Sequence, residues 1–131
     1  MPIDPSTFEP TDSRWGDIFS LLKSKGVNVK SPTTKVGVVS EPVVIVRMSG
    51  VMQHTEYSTD DYSYELVICV PESQYSKLEP YVVQVRDYMK ELYPMLTDDR
   101  NVSTSMFDED FRAHYVTASY TNHRKFNNYY D

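Results

Sequence analysis

The groups in this chain that can carry acid–base, metal or nucleophilic chemistry are few and scattered. Its three histidines, His54, His114 and His123, stand far apart, and none has a partner at helical spacing. The single cysteine, Cys69, follows Val67-Ile68 in the middle of an alternating apolar run. No helix start lies beside it to lower a thiol pKa, so it reads as a packing residue. Asp108-Glu109-Asp110 offers oxygens to a hard cation but lacks the glycine and the spaced ligands of a calcium loop. It reads as a solvated acidic turn. The adjacent pairs Asp60-Asp61 and Asp98-Asp99 sit in polar stretches and read the same way. No serine occupies a Gly-x-Ser-x-Gly turn, and with four glycines the chain carries neither nucleotide-binding fingerprint. The residues therefore predict no catalytic group, no cofactor and no metal site.

Composition narrows the partners. At 131 residues the chain is long enough to bury a core without staples, and 40% apolar with 24% charged residues fits a soluble globular domain. The net charge of −6 argues against general nucleic-acid binding, which needs clustered Lys and Arg. One cysteine excludes an internal disulfide and suits a reducing compartment. The start, Met1-Pro2-Ile3-Asp4-Pro5, has neither the basic residues nor the apolar run of a signal peptide. No apolar run approaches the ~20 residues of a membrane helix. These features predict synthesis in the cytoplasm and no membrane partner. The 11 tyrosines suit half-wet strands and interfaces alike.

The elements that position these residues follow from periodicity. Residues 1–10, with Pro2, Pro5 and Pro10, read as an extended N-terminal arm, either disordered or laid across a neighbouring subunit, with Phe8 as its anchor. Trp15, Ile18, Phe19 and Leu22 fall on one face of a helix over 13–25, capped by Asp12 or Ser13 and stopped by Gly26. Short strands are possible at 27–30 and 35–40. A β-branched strand runs Val43–Ser49. Residues 53–61 then form a polar loop longer than a tight hairpin needs. In the strand Tyr62–Val70, Tyr62, Tyr64, Leu66, Ile68 and Val70 share the core face.

A long helix follows, with Leu78, Val82, Val85, Met89 and Leu92 on one stripe. Ser76 and Glu79 offer a capping box, Pro80 lies in the first turn, and Pro94 ends the helix or kinks it so that Leu96 lies just outside. Thr97–Asn101 reads as a loop, 102–106 as a half-exposed strand, 107–111 as an acidic turn and Arg112–Thr121 as the last strand. His114, Val116, Ala118 and Tyr120 share one face of that strand. Residues 122–131 form a polar C-terminal tail with Phe126, Tyr129 and Tyr130. The predicted fold class is α+β: a single domain over 11–121, with a mostly antiparallel sheet of about four to five strands and two helices packed on one face.

The features that remain call for a partner more than for water. They are the arm with Phe8, the polar loop with His54, Glu56, Tyr57, Asp60 and Asp61, and the tail with Phe126, Tyr129 and Tyr130. Frayed termini and one long loop give an alternative account of the same residues.

This order of elements resembles that of the tail terminator and tail-completion proteins of long-tailed bacteriophages. The resemblance is carried by the strand Val43–Ser49, the loop 53–61, the strand Tyr64–Pro71, the helix Tyr81–Leu92 and the closing strand His114–Tyr120, with Trp15–Leu22 also fitting. It lies in size and layout, and neighbouring head-to-tail connector proteins share much of it. It implies a structural virion protein at the head-proximal end of the tail: a homo-hexameric ring that caps the tail tube, ends its growth and presents the surface that docks to the head. The implied partners are the chain itself, the tail tube protein and a head-completion or connector protein, with DNA passing through unbound. The loop 53–61 would face the lumen or an end of the ring, where Glu56, Asp60 and Asp61 would repel DNA. The other function classes open on the residues are a monomeric or dimeric protein-binding module and a small hydrolase built from distant residues.

Overall fold

A computed structural model describes residues 14–32, 37–54 and 59–125. The first helix, α1 (Arg14–Ser24), buries Ile18 and Leu22 completely. It ends as its sequence predicts. Gly26 adopts φ 84°, Val27 N–H donates to Leu22 O (3.0 Å), and Gly26 N–H donates to Lys23 O (3.1 Å). This paired closure satisfies the last carbonyls and needs the left-handed conformation that glycine takes at little cost.

The strands follow as β1 (Val29–Lys30), β2 (Val43–His54) and β3 (Thr59–Pro71). The second helix is α2 (Leu78–Met89), and β4 (Thr97–Val102), β5 (Met106–Asp108) and β6 (Ala113–Lys125) complete the order. Among the described residues six strands form one sheet in the order β1-β2-β3-β6-β4, with β5 also paired to β6. All pairings are antiparallel except β1 with β2. The fold is α+β, and its sheet is wider than the four to five strands expected. The extra strands are short edge pieces whose own sequences carry little alternation.

Both helices cover one face. Val44 and Val46 of β2, Tyr64, Leu66, Ile68 and Val70 of β3, and Val116, Ala118 and Tyr120 of β6 meet Ile18 and Leu22 of α1 and Leu78, Val85 and Met89 of α2 in one apolar cluster. The alternation in β3 and β6 assigned these faces correctly, because the strand period of two turns every second side chain to the helices. Trp15 packs on Phe19 (ring centroids 5.0 Å apart) and donates from Nε1 to Val46 O at 2.7 Å. Leu96 lies beyond the helix yet is buried, and its N–H donates to Leu92 O at 2.9 Å.

The opposite face carries a smaller cluster of Val39, Val43, Cys69 and Ala113. Val39, which precedes β2, joins this cluster, and its N–H donates to Phe111 O at 2.8 Å.

Several boundaries depart from the sequence reading. Thr97–Asn101, read as a loop, is strand β4, and the strand expected over 102–106 breaks at 103–105 before β5. β6 supplies the pairing partner for this edge, and a polar edge strand needs no apolar alternation of its own. Phe107 and Asp108, read as turn, belong to β5, and the turn occupies 109–112. The capping box at Ser76 and Glu79 does not form: a 3₁₀ turn over Glu72–Lys77 runs straight into α2, so no side chain caps it. Residues 37–40 carry no strand, and 33–36 lie outside the described residues. The segment 53–61 is mostly strand: His54 pairs Thr59, which leaves 55–58 as the connection. The tail expected from residue 122 begins inside β6, which continues to Lys125 with Asn122 buried.

Candidate interaction surfaces

Backbone pairing decides where the predicted site residues stand. β2, β3 and β6 are long strands: β3 pairs β6 without a break in register, β2 pairs β3 with one shift between Met48 and Gly50, and β3 at thirteen residues spans about 40 Å. The apolar cluster ends near the row that holds Val51, Tyr62 and Asn122. Three further rows continue as a three-stranded ribbon: Met52–Asp61–His123, Gln53–Asp60–Arg124 and His54–Thr59–Lys125. His54, Asp60 and Asp61 are thus brought to one end of the sheet. Sequence reasoning did not foresee that His123 and Arg124 of β6 pair with that same end, because the polar run past Thr121 carries no alternation to mark a strand. Glu56, Tyr57, Phe8, Phe126, Tyr129 and Tyr130 lie outside the described residues.

Among the described residues no group of three His, Cys, Asp or Glu side chains converges on one point. No described helix is long and apolar enough to cross a membrane. Cys69 is buried in β3, and burial pushes its thiol up to about 11, with the Asp108 charge adding to the rise. A thiol held protonated at neutral pH is a weak nucleophile. No protein-family model matches this chain, nor does any curated protein.

An aromatic group that the sequence did not mark lies at the other end of the sheet from the ribbon. Tyr75 meets His114 edge-on with ring centroids 4.7 Å apart, and Phe107 packs on the same imidazole at 5.0 Å. Tyr75 Oη and Ser105 Oγ share a hydrogen bond of 3.0 Å. Tyr75, Met106 and Phe107 are exposed, so these rings form a wet apolar patch. Tyr75 stands more than thirty positions before the other two rings, and the pairing of β5 with β6 sets Phe107 beside His114.

Behind the sheet a cavity of about 310 Å³ is lined by Ile45, Val67, Cys69, Phe111 and Tyr115, with Arg47 also on its wall. Arg47 pairs with Glu65 on the adjacent strand. On the helical side Arg86 bonds Asp98 at 2.7 Å, and that hydrogen bond raises the guanidinium pKa further. The Tyr120 hydroxyl is buried beside Arg86 with no well-formed hydrogen bond among the described residues, and burial pushes it up to about 12. These features anchor α2 to β4 and β6.

Proposed function

We propose that this chain is a structural virion subunit that assembles as a homo-hexameric ring, caps a phage tail tube, ends its growth and forms the surface on which the head docks. Its mechanism is interface geometry, with no chemical step. The layout that resembles tail terminator and tail-completion proteins supports this. The observation that carries most weight is the ribbon of β2, β3 and β6, which extends past the apolar cluster and gathers Asp60 and Asp61 at one end. A polar, strand-built projection on a firmly packed base suits a lumen wall or an end face. In the same three rows the ribbon also carries Arg124 and Lys125, so this end offers passing DNA no net positive charge to adhere to.

The test mixes the purified chain with polymerising tail tube protein and images the product by negative stain. Rings seated on tube ends, with tubes of arrested length, are the expected result. A chain that stays monomeric with tube present and leaves tube growth unchanged would overturn the proposal. Charge reversal at Asp60 and Asp61 that leaves DNA ejection unaffected would remove the lumen role alone.

A further inference from the structure

The two outer edges of the sheet meet at one level. Val29 of β1 pairs Val44, Val44 pairs Ile68, and Ile68 pairs Val116. Met106 of β5 pairs Tyr115, the residue next to Val116. β1 and β5 are therefore opposite ends of one row, four strand spacings or about 19 Å apart.

The two ends differ in character. Beside β1, Lys23 and Lys30 stand at a cleft of about 340 Å³ whose apolar wall is Phe19, Val27 and Val29. Neither lysine has an ion-pair partner among the described residues, whereas nearby Lys25 is held by Glu91. At the β5 end, Met106 and Phe107 are both 41% exposed. Asp108, Glu109 and Asp110 follow them, also without ion-pair partners among the described residues. Asp108 Oδ1 accepts from the N–H groups of Asp110 (2.9 Å) and Phe111 (3.0 Å), which holds the turn and leaves Glu109 and Asp110 outward. Phe107 pairs with His114, a residue of the helix-covered face, and Phe19 belongs to the helix on that same face. In a sheet continued from one copy into the next, the two phenylalanines would come to the same side.

We propose that copies of this chain associate head to tail, the β5 edge and acidic turn of one copy seating in the lysine-edged cleft beside β1 of the next. Opposite charge and apolar surface then match at each junction. Two different edges make the contact, so the association repeats from copy to copy, as a ring where the rotation closes and as an open filament where it does not, rather than stopping at a two-fold dimer. The junction builds on the ring subunit proposed above, but its chemistry is independent of any tail.

Sedimentation velocity of the full chain at low and high salt tests it with two charge-reversed variants. Lys23→Glu with Lys30→Glu makes both edges acidic, and Glu109→Lys with Asp110→Lys makes both basic. Each variant alone should associate roughly tenfold or more weakly than wild type, because like charges then face each other. An equimolar mixture should regain association, and that recovery also shows that both variants are folded. A wild type that stays monomeric at low salt, variants that associate as wild type does, or a mixture without recovery would each overturn the junction. If the variants cap tube ends as well as wild type, the junction falls and the capping function stands. If wild type associates through these edges yet never arrests a tube, the capping function falls and the junction stands.

Discussion

Trp15 Nε1 donates a 2.7 Å hydrogen bond to the main-chain oxygen of Val46. β1 pairs β2 only at Val44 and Ile45, so the indole takes over at the next residue along that strand and ties the start of α1 to the sheet. Trp15→Phe keeps a ring to stack on Phe19 but leaves the carbonyl without this donor. The expected loss is about 1–3 kcal/mol of unfolding free energy. Urea denaturation followed by circular dichroism measures it, and an unchanged midpoint would show that the bond contributes nothing net.

Leu66 and Val85 are both completely buried, one on the central strand and one on α2. Leu66→Asp or Val85→Asp places a carboxylate where neither water nor a counter-charge can reach it, and each should abolish folding. Leu66→Ala should cost about 2–5 kcal/mol and still unfold cooperatively. Amide NMR dispersion separates these outcomes, and a well-dispersed spectrum from either aspartate variant would contradict the packing described.

Two tyrosines set an alkaline limit. Burial pushes Tyr120 and Tyr81 each up to about 12, with nearby Asp98 adding to the first and, among other charges, Glu41 to the second. In the unfolded chain a tyrosine ionises near about 10. Above that pH the unfolded state sheds protons that the folded state retains, so stability falls as pH rises. The contribution is fully present below pH ~10 and is lost as pH climbs toward ~12. Chemical denaturation across this window should show midpoints that decline more steeply than those of Tyr120→Phe. Equal slopes would mean that the Tyr120 hydroxyl is not held back from ionising.

Cys69 should resist an aromatic disulfide reagent in the native protein at pH 8 and react at once in denaturant. Its side chain is buried, and its thiol ionises only near about 11. Rapid labelling of the native chain at that pH would show that the back of the sheet opens readily.

Substitutions confined to the ribbon end should behave in the opposite way to those in the core. Asp60→Lys with Asp61→Lys lies beyond the apolar cluster, so its melting temperature should stay close to wild type while its action at tube ends changes. Substitutions away from a packed core usually shift stability by about 0.5 kcal/mol or less. A large drop in melting temperature would mean that the ribbon end is part of the folded base.

The core was legible because its periods are strong. Leu66 and Ile68 alternate, Val85 and Met89 are four apart, and Gly26 marks the one φ > 0 glycine among those described. β4 was hidden because Thr-Asp-Asp-Arg-Asn carries no buried face of its own; Arg100 even takes φ 58° where the register slips between Asp98 and Val102. Its strand character comes from the backbone of β6. The same holds for 53–54 and 122–125, whose polar sequence looked like loop and tail until pairing with β3 extended them. The Tyr75–His114–Phe107 group was illegible for another reason: each ring comes from a different element, and no local spacing connects them.

The long register of β3 has a mechanical consequence. From Thr59 to Pro71 this strand is bonded to β6 along its whole length, and over most of that length to β2 as well. Tension applied along the strand axis loads these bonds in parallel, so they must fail together. Tension applied across the sheet would open them one at a time, like a zipper. The domain should therefore be stiff along one axis and compliant across it, and pulling on pairs of engineered cysteines placed along or across β3 would measure that anisotropy directly.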